Sequence, residues 1–537
     1  MNNETILVID RKENNPLLNA QNFPAWGGVW SLTTNTVRAL NMETDSFCSA
    51  GSFLSNGTMA NFGGHPYIDR DGQAAPDGQQ GTFRCVRLFN GCAASGKCDM
   101  YEDSTRIRLG SNRWYPTSAR LPDGSAIVIG GMLYSGWSNS ETTNNPTYEF
   151  FPAKNINGYN GLPVPSKFFN DTLPHNTVRS SPPDTSLPSQ KLFVAANNQA
   201  MLLDWTTNTE TRLPNFPNGQ RVVYPLNAAG VLLPLTPENN YTAEILVCGG
   251  SQISDQIQSQ DLDAQHDYGS AQCSRMVLND AGIAGGWKTE WMPEPRLMSE
   301  GVLLPDGKVL IVNGCRTGTA GYNSLQNVVG NSNADRPNYT PLLYDPSAPV
   351  GSRFTRDGLP TSNIPRLYHS VATLLPSGAV MIGGSNPNDD FSTVRYQSEL
   401  RVEYLYPPYM TKTRPTFTAL PAKIAYGAKF TLSITVPAGA QNVSAILMDF
   451  GFVSHSVHMD QKLIKLVSVR QGNQLTVTGP PSAPIYSPGP GWIMVIADGV
   501  PSVAQQVMIG SGANPPEDDA AIANMLASTK TPSPGPD

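Results

Sequence analysis

Short apolar runs broken by turn residues dominate the chain up to residue 411. Each run follows one plan, in which a strand leads through a tight turn into a more apolar strand and then a pair of small residues. The six clearest copies are SFLSNGTMANFGG ending at Gly64, RLPDGSAIVIGG at Gly131, SLPSQKLFVAANN at Asn198, VLLPLTPENNYTAEILVCGG at Gly250, VLLPDGKVLIVNG at Gly314 and TLLPSGAVMIGG at Gly384. The pattern predicts repeated β-hairpins.

The spacing of these copies predicts a particular β-architecture. Their ends lie about 50 to 70 residues apart, and a repeat near 50 with four short strands is typical of kelch-type β-propellers. A seventh unit is expected from TILVID and PAWGGVWSLTTNTVRAL together with the strands near LRVEYLYPPYM. We therefore expect a seven-bladed propeller over residues 1–411, with six blades as the alternative.

The pattern changes at residue 412. Segments such as KFTLSITV, VSAILMDFGFVSHSVHM and GWIMVIADGVPSVAQQVMI alternate with a period of two, as in a small immunoglobulin-like β-sandwich. We assign residues 412–510 to this second domain. Residues 511–537 are polar and rich in Pro, which predicts a tail that is disordered at least at its end.

Composition supports an all-β fold and excludes some partners. The 537 residues include 48 Gly and 46 Pro, and only 15% are charged. A net charge of −7 argues against nucleic acid or an anionic membrane as a partner. No apolar stretch reaches the roughly 18 residues of a membrane span. We expect a monomeric, mature secreted protein, supported by Asn-x-Ser/Thr sites at Asn3, Asn56, Asn170, Asn240, Asn338 and Asn442.

Two tyrosines occupy the same position of the repeat. The residues that precede the small pair by the same interval are Cys48, Tyr115, Met298 and Tyr368, with Ser181 at the matching place of the irregular third copy. Equivalent positions of propeller blades converge on one axis, so these residues are expected to surround one pocket, next to His369. The alternative is that this position merely tolerates large side chains as packing.

The cysteine count points to one special thiol. A secreted protein is expected to pair its cysteines, and this chain has seven. Cys92 with Cys98 and Cys248 with Cys273 are plausible disulfides, and Cys85 with Cys315 is left by elimination. Cys48 then remains, at the position of the repeat that it shares with Tyr115; the alternative is an ordinary buried cysteine.

The chain has six histidines. His65, His175 and His266 lie in loops without ligand companions and are expected at the surface. His455 and His458 lie in the hairpin-like segment GFVSHSVHMDQ, and spacing alone leaves open which of the two faces the pocket. Two Tyr and two His without an acidic cluster favour tetragonal Cu(II) over Zn(II) or Mg(II).

These residues resemble those of a known family. WYPTSARLPDG, RLYHSVATLLPSG, GSNPNDD and SHSVHMDQK are similar to motifs of the copper radical oxidases, and of glyoxal oxidases more than galactose oxidases. The resemblance extends from residue 5 to 510 and implies a seven-bladed propeller whose axis receives a His-bearing hairpin of the second domain. It implies Tyr115, Tyr368, His369 and His455 as ligands of one copper ion, with a thioether between Cys48 and Tyr115 and with Tyr368 as the base.

The resemblance also implies the reaction. A Tyr115 radical would oxidise hydrates of small aldehydes to carboxylic acids while O2 becomes H2O2, which extracellular peroxidases could use. The alternatives are a primary alcohol oxidase with the same cofactor and a silent propeller that binds glycans or proteins. Met132 and Leu133 stand where galactose oxidases have a stacking Trp, so Trp114, Trp137 or another residue must shield the radical. Arg113, Arg296 and Arg366 each stand two residues before the shared position of the repeat, an arrangement we call the Arg-x frame. Arg179 either contacts the substrate or belongs to this Arg-x frame.

Overall fold

The computed structural model describes residues 2–9, 15–65, 84–93, 95–134, 136–173, 187–388 and 391–529. Over these ranges the protein is an all-β structure, as expected, with three short helices: α1 (Lys167–Asp171), α2 (Asp280–Gly285) and α3 (Asp519–Ser528). In the described ranges, no helix has the length and apolar character that crossing a bilayer requires.

Seven antiparallel sheets of three or four strands occupy the chain from Thr5 to Leu405. The first consists of β1 (Thr5–Ile9), β2 (Gly27–Ser31) and β3 (Thr36–Ala39), and the second of β4 (Ala50–Phe53), β5 (Met59–Phe62), β6 (Val86–Phe89) and β7 (Met100–Glu102). The third consists of β8 (Thr117–Arg120), β9 (Ala126–Ile129), β10 (Thr147–Phe151) and β11 (Val164–Pro165), and the fourth of β12 (Leu192–Ala196), β13 (Gln199–Asp204) and β14 (Thr209–Arg212).

The remaining three sheets follow the same meander. The fifth consists of β15 (Ala228–Leu232), β16 (Glu244–Gly249), β17 (Gln272–Val277) and β18 (Lys288–Trp291). The sixth begins with β19 (Glu300–Leu303) and β20 (Val309–Val312), is interrupted by a hairpin of β21 (Cys315–Tyr322) and β22 (Ser332–Pro337), and ends with β23 (Leu342–Tyr344) and β24 (Phe354–Thr355). The seventh consists of β25 (Val371–Leu374), β26 (Val380–Gly383) and β27 (Glu403–Leu405).

Each sheet packs face to face on the next. Clusters of buried apolar side chains join the first sheet to the second, the second to the third, and so on to the seventh. The seventh sheet also packs on the first, where Met381 lies in one cluster with Ile6. The order of packing is therefore cyclic, and the core is divided among the sheet-to-sheet interfaces.

The Gly pairs of the repeats make the junctions between neighbouring sheets. The amide of Gly64 donates to the carbonyl of Arg113 at 3.2 Å, and the amide of Gly250 donates to that of Arg296 at 3.0 Å. A Cβ atom on Gly249 would lie 2.1 Å from the Arg296 carbonyl oxygen, so only glycine permits this approach. The Arg-x frame thus holds one sheet against the next.

The C-terminal residues form a β-sandwich, as expected. One sheet contains β28 (Thr416–Thr418), β30 (Lys429–Thr435), β36 (Gln474–Thr478) and β35 (Ser468–Gln471), and the other contains β29 (Lys423–Ile424), β39 (Gln505–Ile509), β37 (Gly489–Ala497), β31 (Val443–Met448) and β34 (Leu463–Leu466), with β38 (Val500–Pro501) paired to β37. Between β31 and β34, a hairpin of β32 (Phe452–Ser454) and β33 (Val457–Met459) leaves the sandwich and contacts β4, β8, β15, β19 and β25, the first strands of five sheets.

The first part of the tail contains a helix that its composition did not predict. Helix α3 begins after Asp518, whose side chain accepts a hydrogen bond from the Ala521 amide at 3.0 Å. The helix docks on the sheets, because Asn524 donates to the Asn160 carbonyl and Arg108 donates to that of Leu526, each at 2.7 Å. Residues 530–537 lie outside the described residues.

Candidate metal centre

Five residues of the sequence prediction meet where the hairpin tip reaches the first strands of the sheets. Cys48 lies just before β4, Tyr115 before β8, and Tyr368 and His369 before β25, while His455 is at the tip between β32 and β33. Cys48, Tyr115, His369 and His455 all have φ between 52° and 65°, a region that few non-Gly residues adopt and that is enriched at turns and active sites. Residues at the same position of the repeat therefore lie close together in the structure.

The side chains of these residues converge within a few ångströms. The sulfur of Cys48 lies 3.5 Å from Nε2 of His455, and the ligand atoms of Cys48, His369 and His455 all lie within 4.8 Å of one another. The hydroxyls of Tyr115 and Tyr368 contact each other directly. The His455 ring centroid lies 4.8 Å from that of Tyr115 and 4.9 Å from that of His369.

A neighbouring oxygen atom at Nδ1 orients each of the two imidazoles. Nδ1 of His369 lies 2.6 Å from the Asn386 carbonyl oxygen, and Nδ1 of His455 lies 2.5 Å from Oγ of Ser454. A hydrogen bond at Nδ1 leaves Nε2 with its lone pair directed elsewhere, which is how proteins orient metal-ligating histidines. Two imidazole nitrogens, two phenol oxygens and a thiolate-capable sulfur fit copper rather than a hard, oxygen-seeking cation.

The comparisons with known proteins agree with this donor set. The glyoxal oxidase N-terminus family model matches residues 11–409, and the galactose oxidase-like early set domain model matches residues 414–509. The chain belongs to the glyoxal oxidase family. It is 33% identical over 498 residues to aldehyde oxidase GLOX of Vitis pseudoreticulata, covering 90% of this chain and 85% of the relative.

Two further similarities extend the comparison. The chain is 32% identical to aldehyde oxidase GLOX1 of Arabidopsis thaliana over 506 residues, which is 89% of this chain and 74% of that protein. Its fold is similar to that of a fungal alcohol oxidase of the AA5 family solved in complex with copper, with a TM-score of 0.66 and 16% identity over 94% of this chain and 95% of the other.

In this member of the glyoxal oxidase family, one residue that the sequence analysis did not name lies over the ring of Tyr115. Tyr224 covers it at 4.6 Å between centroids with an interplanar angle of 31°, whereas Trp114 meets it edge-on at 4.1 Å. Trp137 instead donates from its indole nitrogen to Thr319 at 3.2 Å. Tyr224 occupies a position outside the repeat, so the spacing argument gave no signal for it.

The other proposed pocket residues have different outcomes. Met298 and Met132 are buried in one cluster with Tyr115 and Tyr368. Leu133 is only half-buried. The matching residues of the third copy, Ser181 and Arg179, lie outside the described residues.

The prediction that His65 is a surface residue is wrong. Its side chain is 14% exposed, and Nδ1 lies 3.9 Å from a carboxylate oxygen of the buried Asp45. Its ring centroid lies 5.8 Å from that of Phe47, whose ring is in turn 5.3 Å from His369. His65 directly follows the Gly pair of its repeat, and the sheet junction brings it to the edge of the centre.

One prediction about the other histidines is confirmed, and the two histidines of the hairpin differ in their surroundings. His266 is exposed, as expected, and pairs with Asp263 at 3.0 Å. His175 lies outside the described residues. His458 is buried on β33, and its burial lowers its pKa to about 4. Of the two hairpin histidines, His455 is the one grouped with Cys48 and His369.

Two of the predicted disulfides are confirmed, and the third predicted pairing is wrong. Cys92 is bonded to Cys98, and Cys248 to Cys273 across neighbouring strands of the fifth sheet. The pair Cys85–Cys315, reached by elimination, is not bonded: both are buried thiols. Cys315 donates to the Thr317 carbonyl at 3.3 Å, and burial raises the pKa of both thiols.

Buried charges anchor the base of the hairpin. Arg120 of β8 forms an ion pair with Asp449, and the Arg120 amide donates to Asp460 at 2.7 Å. Burial, opposed by Arg120 and assisted by Asp449, raises the pKa of Asp460 to about 6. Burial lowers the pKa of Lys462 to about 8. These contacts join the third sheet to the segments on both sides of the hairpin.

A cavity of about 290 Å³ adjoins the centre. Its walls include Ile6 and Val8 of the first sheet and Phe452 of the hairpin, and it ends on Cys48 and His455. A largely apolar space therefore borders the first sheet, the hairpin and two of the candidate ligands.

Proposed function

We propose that the protein is a copper radical oxidase that converts small aldehydes, as their hydrates, into carboxylic acids while reducing O2 to H2O2. Glyoxal, methylglyoxal and glycolaldehyde are the proposed substrates. Family membership and relatives named as aldehyde oxidases support this proposal. The observation that carries it is the convergence of Cys48, Tyr115, Tyr368, His369 and His455 on one point.

The proposed roles follow from the chemistry of each side chain. Tyr115, Tyr368, His369 and His455 hold one copper ion, which would supply a one-electron redox centre and acidify a bound hydroxyl. Cys48 is linked to Tyr115 by a thioether. A hydrogen bond between the two backbones supports this link, because the Tyr115 amide donates to the Cys48 carbonyl at 3.1 Å. Conjugation with sulfur makes the Tyr115 phenol easier to oxidise.

The proposed oxidation removes two protons and two electrons from the substrate. Tyr368 accepts the proton of a substrate hydroxyl, and the oxidised Tyr115 removes a hydrogen atom, with one electron, from the substrate carbon. The copper ion, when bound, would accept the second electron. The two phenol oxygens meet, so both events take place around one substrate carbon. Overall, RCH(OH)2 and O2 give RCOOH and H2O2, with two electrons and two protons passing to O2.

For the architecture, we propose that the seven cyclically packed sheets are the blades of a kelch-type propeller over residues 1–411. Residues 412–510 are the immunoglobulin-like domain, and residues 511–537 are an appended tail whose helix docks on the third-sheet region. The support is the packing of the seventh sheet on the first and the hairpin that contacts five innermost strands.

We also propose that the protein is secreted as a monomer and supplies H2O2 to extracellular peroxidases. Its two disulfides suit an oxidising compartment. Four of the candidate glycosylation sites are exposed: Asn3, Asn170, Asn240 and Asn442. Asn338 is buried and donates to the Pro295 carbonyl at 3.1 Å, so it is not part of this support.

The test is peroxide release by copper-loaded, oxidant-activated protein. Methylglyoxal, glycolaldehyde, galactose and benzyl alcohol are compared, with Tyr115→Phe as the control that keeps the ring and lacks the hydroxyl. Peroxide from the aldehydes in the wild type alone supports the proposal. Peroxide from the alcohols alone would identify a primary alcohol oxidase. Silence with every substrate, together with an absent Cys48–Tyr115 link by mass, would leave a propeller that binds glycans or proteins.

A further inference from the structure

The turn that presents His455 has an uncommon sequence for its shape. Ser454 pairs with Val457, which leaves His455 and Ser456 as a two-residue loop, with φ of 52° and 72°. A hairpin loop with positive φ at both positions is a type I′ turn, and Asn-Gly or Asp-Gly normally fills it because other residues are strained there. Neither residue here is Gly or Asn, so the local sequence alone does not favour this turn.

One peptide group of the turn is held at both of its ends. The side-chain nitrogen of Asn227 donates to the His455 carbonyl at 2.9 Å, and a carboxylate oxygen of Glu300 accepts from the Ser456 amide at 3.1 Å. This carbonyl and this amide belong to the same peptide bond. Asn227 precedes β15 and Glu300 begins β19, so two neighbouring sheets grip the turn from outside the hairpin.

The orientation of this peptide decides the type of turn. Flipping the central peptide of a type I′ turn gives a type II′ turn, in which only the first loop residue keeps a positive φ. A flipped peptide would direct its carbonyl toward the Glu300 carboxylate and its amide toward the donating nitrogen of Asn227. Both contacts would then be repulsive, and both side chains are buried, at 2% and 1% exposed, so water offers little compensation.

We infer that Asn227 and Glu300 are positioning residues that lock the His455–Ser456 peptide and thereby aim the His455 imidazole at the centre. The inference rests on the proposed function for the role of His455 as a copper ligand. It assigns to the fifth and sixth sheets a part in building a site whose five candidate residues come from the second, third and seventh sheets and the hairpin.

The base of the hairpin is held independently of this lock. The Leu303 amide donates to the side-chain oxygen of Gln461 at 2.7 Å, and the Gln461 side chain donates to the Gly301 carbonyl at 2.9 Å. Asp460 adds its contacts to Ser52 and Arg120. Removing the lock should therefore loosen the tip and leave the hairpin docked.

The test uses variants that remove or keep the required hydrogen-bonding group. Glu300→Leu and Asn227→Leu abolish one contact each, whereas Glu300→Gln keeps an oxygen that can accept from the Ser456 amide. Gln220→Leu is the control for lost buried hydrogen bonds, because Gln220 donates to the Gly249 carbonyl at 2.8 Å within the fifth sheet. Ser456→Gly, combined with Glu300→Leu, restores a residue that tolerates positive φ.

Two readouts other than turnover are measured. In the copper-free protein, hydrogen–deuterium exchange of the Ser456 amide should accelerate at least tenfold in both Leu variants. Cu(II) sulfate titrated against a competing chelator should bind about 10- to 100-fold more weakly, the usual effect of removing a partner that orients a ligand. The nitrogen hyperfine splitting in the Cu(II) spectrum should change as well, while Glu300→Gln resembles the wild type and Ser456→Gly recovers part of the affinity.

The outcomes separate this inference from the proposed function. Unchanged Ser456 exchange in the folded Leu variants would overturn the lock, and so would equal loss of copper affinity in Gln220→Leu. A wild type that binds copper with two nitrogens but releases no peroxide would refute the oxidase alone. A wild type that binds no copper would refute the metal role of His455, and the exchange experiment would still decide whether the peptide is held.

Discussion

The ion pair between Arg120 and Asp449 is predicted to be a main determinant of how firmly the sandwich holds to the sheets. Its two side chains are 2% and 4% exposed. Replacing Asp449 by Asn preserves the shape and can keep the hydrogen bond from the Phe450 amide, which is 2.8 Å in the wild type. The substitution removes the charge and leaves the Arg120 guanidinium buried without its closest counter-ion.

The size of the effect follows from the cost of an uncompensated buried charge. Breaking a buried ion pair by removing one partner costs about 3–5 kcal/mol. Asp460 remains beside Arg120 and supplies part of the missing negative charge, so we expect the lower end of this range. A loss of about 3 kcal/mol lowers the ratio of folded to unfolded protein by roughly a hundredfold, since 1.4 kcal/mol is a factor of ten.

The assay is urea unfolding of the copper-free protein, followed by tryptophan fluorescence, so that metal binding does not add to the measured stability. The matched control is Glu238→Gln. Glu238 pairs with Lys465 across the same two parts of the molecule, but these side chains are 59% and 39% exposed. An exposed pair contributes less than about 1 kcal/mol. Equal changes in the two variants, or a change below about 1 kcal/mol in Asp449→Asn, would refute the reasoning.

Three further predictions concern other parts of the molecule. Iodoacetamide added in denaturant without reductant should label three thiols before copper treatment and two afterwards, because thioether formation consumes Cys48; three labels at both stages would contradict the link. Burial lowers the pKa of His458 to about 4, so the folded state binds fewer protons than the unfolded state between about pH 4 and pH 6.5. The wild type should therefore lose about 3 kcal/mol relative to His458→Gln as pH falls through this window, and parallel unfolding curves would argue against it. Tyr224→Leu uncovers the Tyr115 ring and should shorten the half-life of the oxidised enzyme, followed by its visible absorption, by about 2- to 10-fold, the equivalent of one lost aromatic pair.

The sequence could predict which residues lie together because residues at equivalent positions of the repeat occupy equivalent places in successive sheets. Cys48, Tyr115 and Tyr368 stand at the same interval before the Gly pairs of their repeats. The hydrogen bonds between neighbouring sheets bring these three residues close together. The same regularity explains what was missed. Tyr224 lies outside the repeated interval, and Glu300 acts on the backbone of a distant hairpin, so neither leaves a local pattern.

Other errors have a different physical origin. Pairing Cys85 with Cys315 by elimination assumed that every cysteine of such a protein except one is oxidised, whereas burial also protects a thiol, and both of these side chains are buried. The Pro-rich composition of the tail predicted disorder at least at its end, which lies outside the described residues. It gave no signal for the capped helix in DDAAIANMLAS, where Ala521 and Met525 are buried against the sheets.

The hairpin has a consequence for how the protein matures. His455 is synthesised after Cys48 and Tyr115. A nascent chain that ends before the hairpin lacks one of the proposed copper ligands, so on the proposed mechanism it cannot generate an oxidant. On the proposed mechanism, the radical chemistry therefore begins only in molecules in which the hairpin has already reached the sheets.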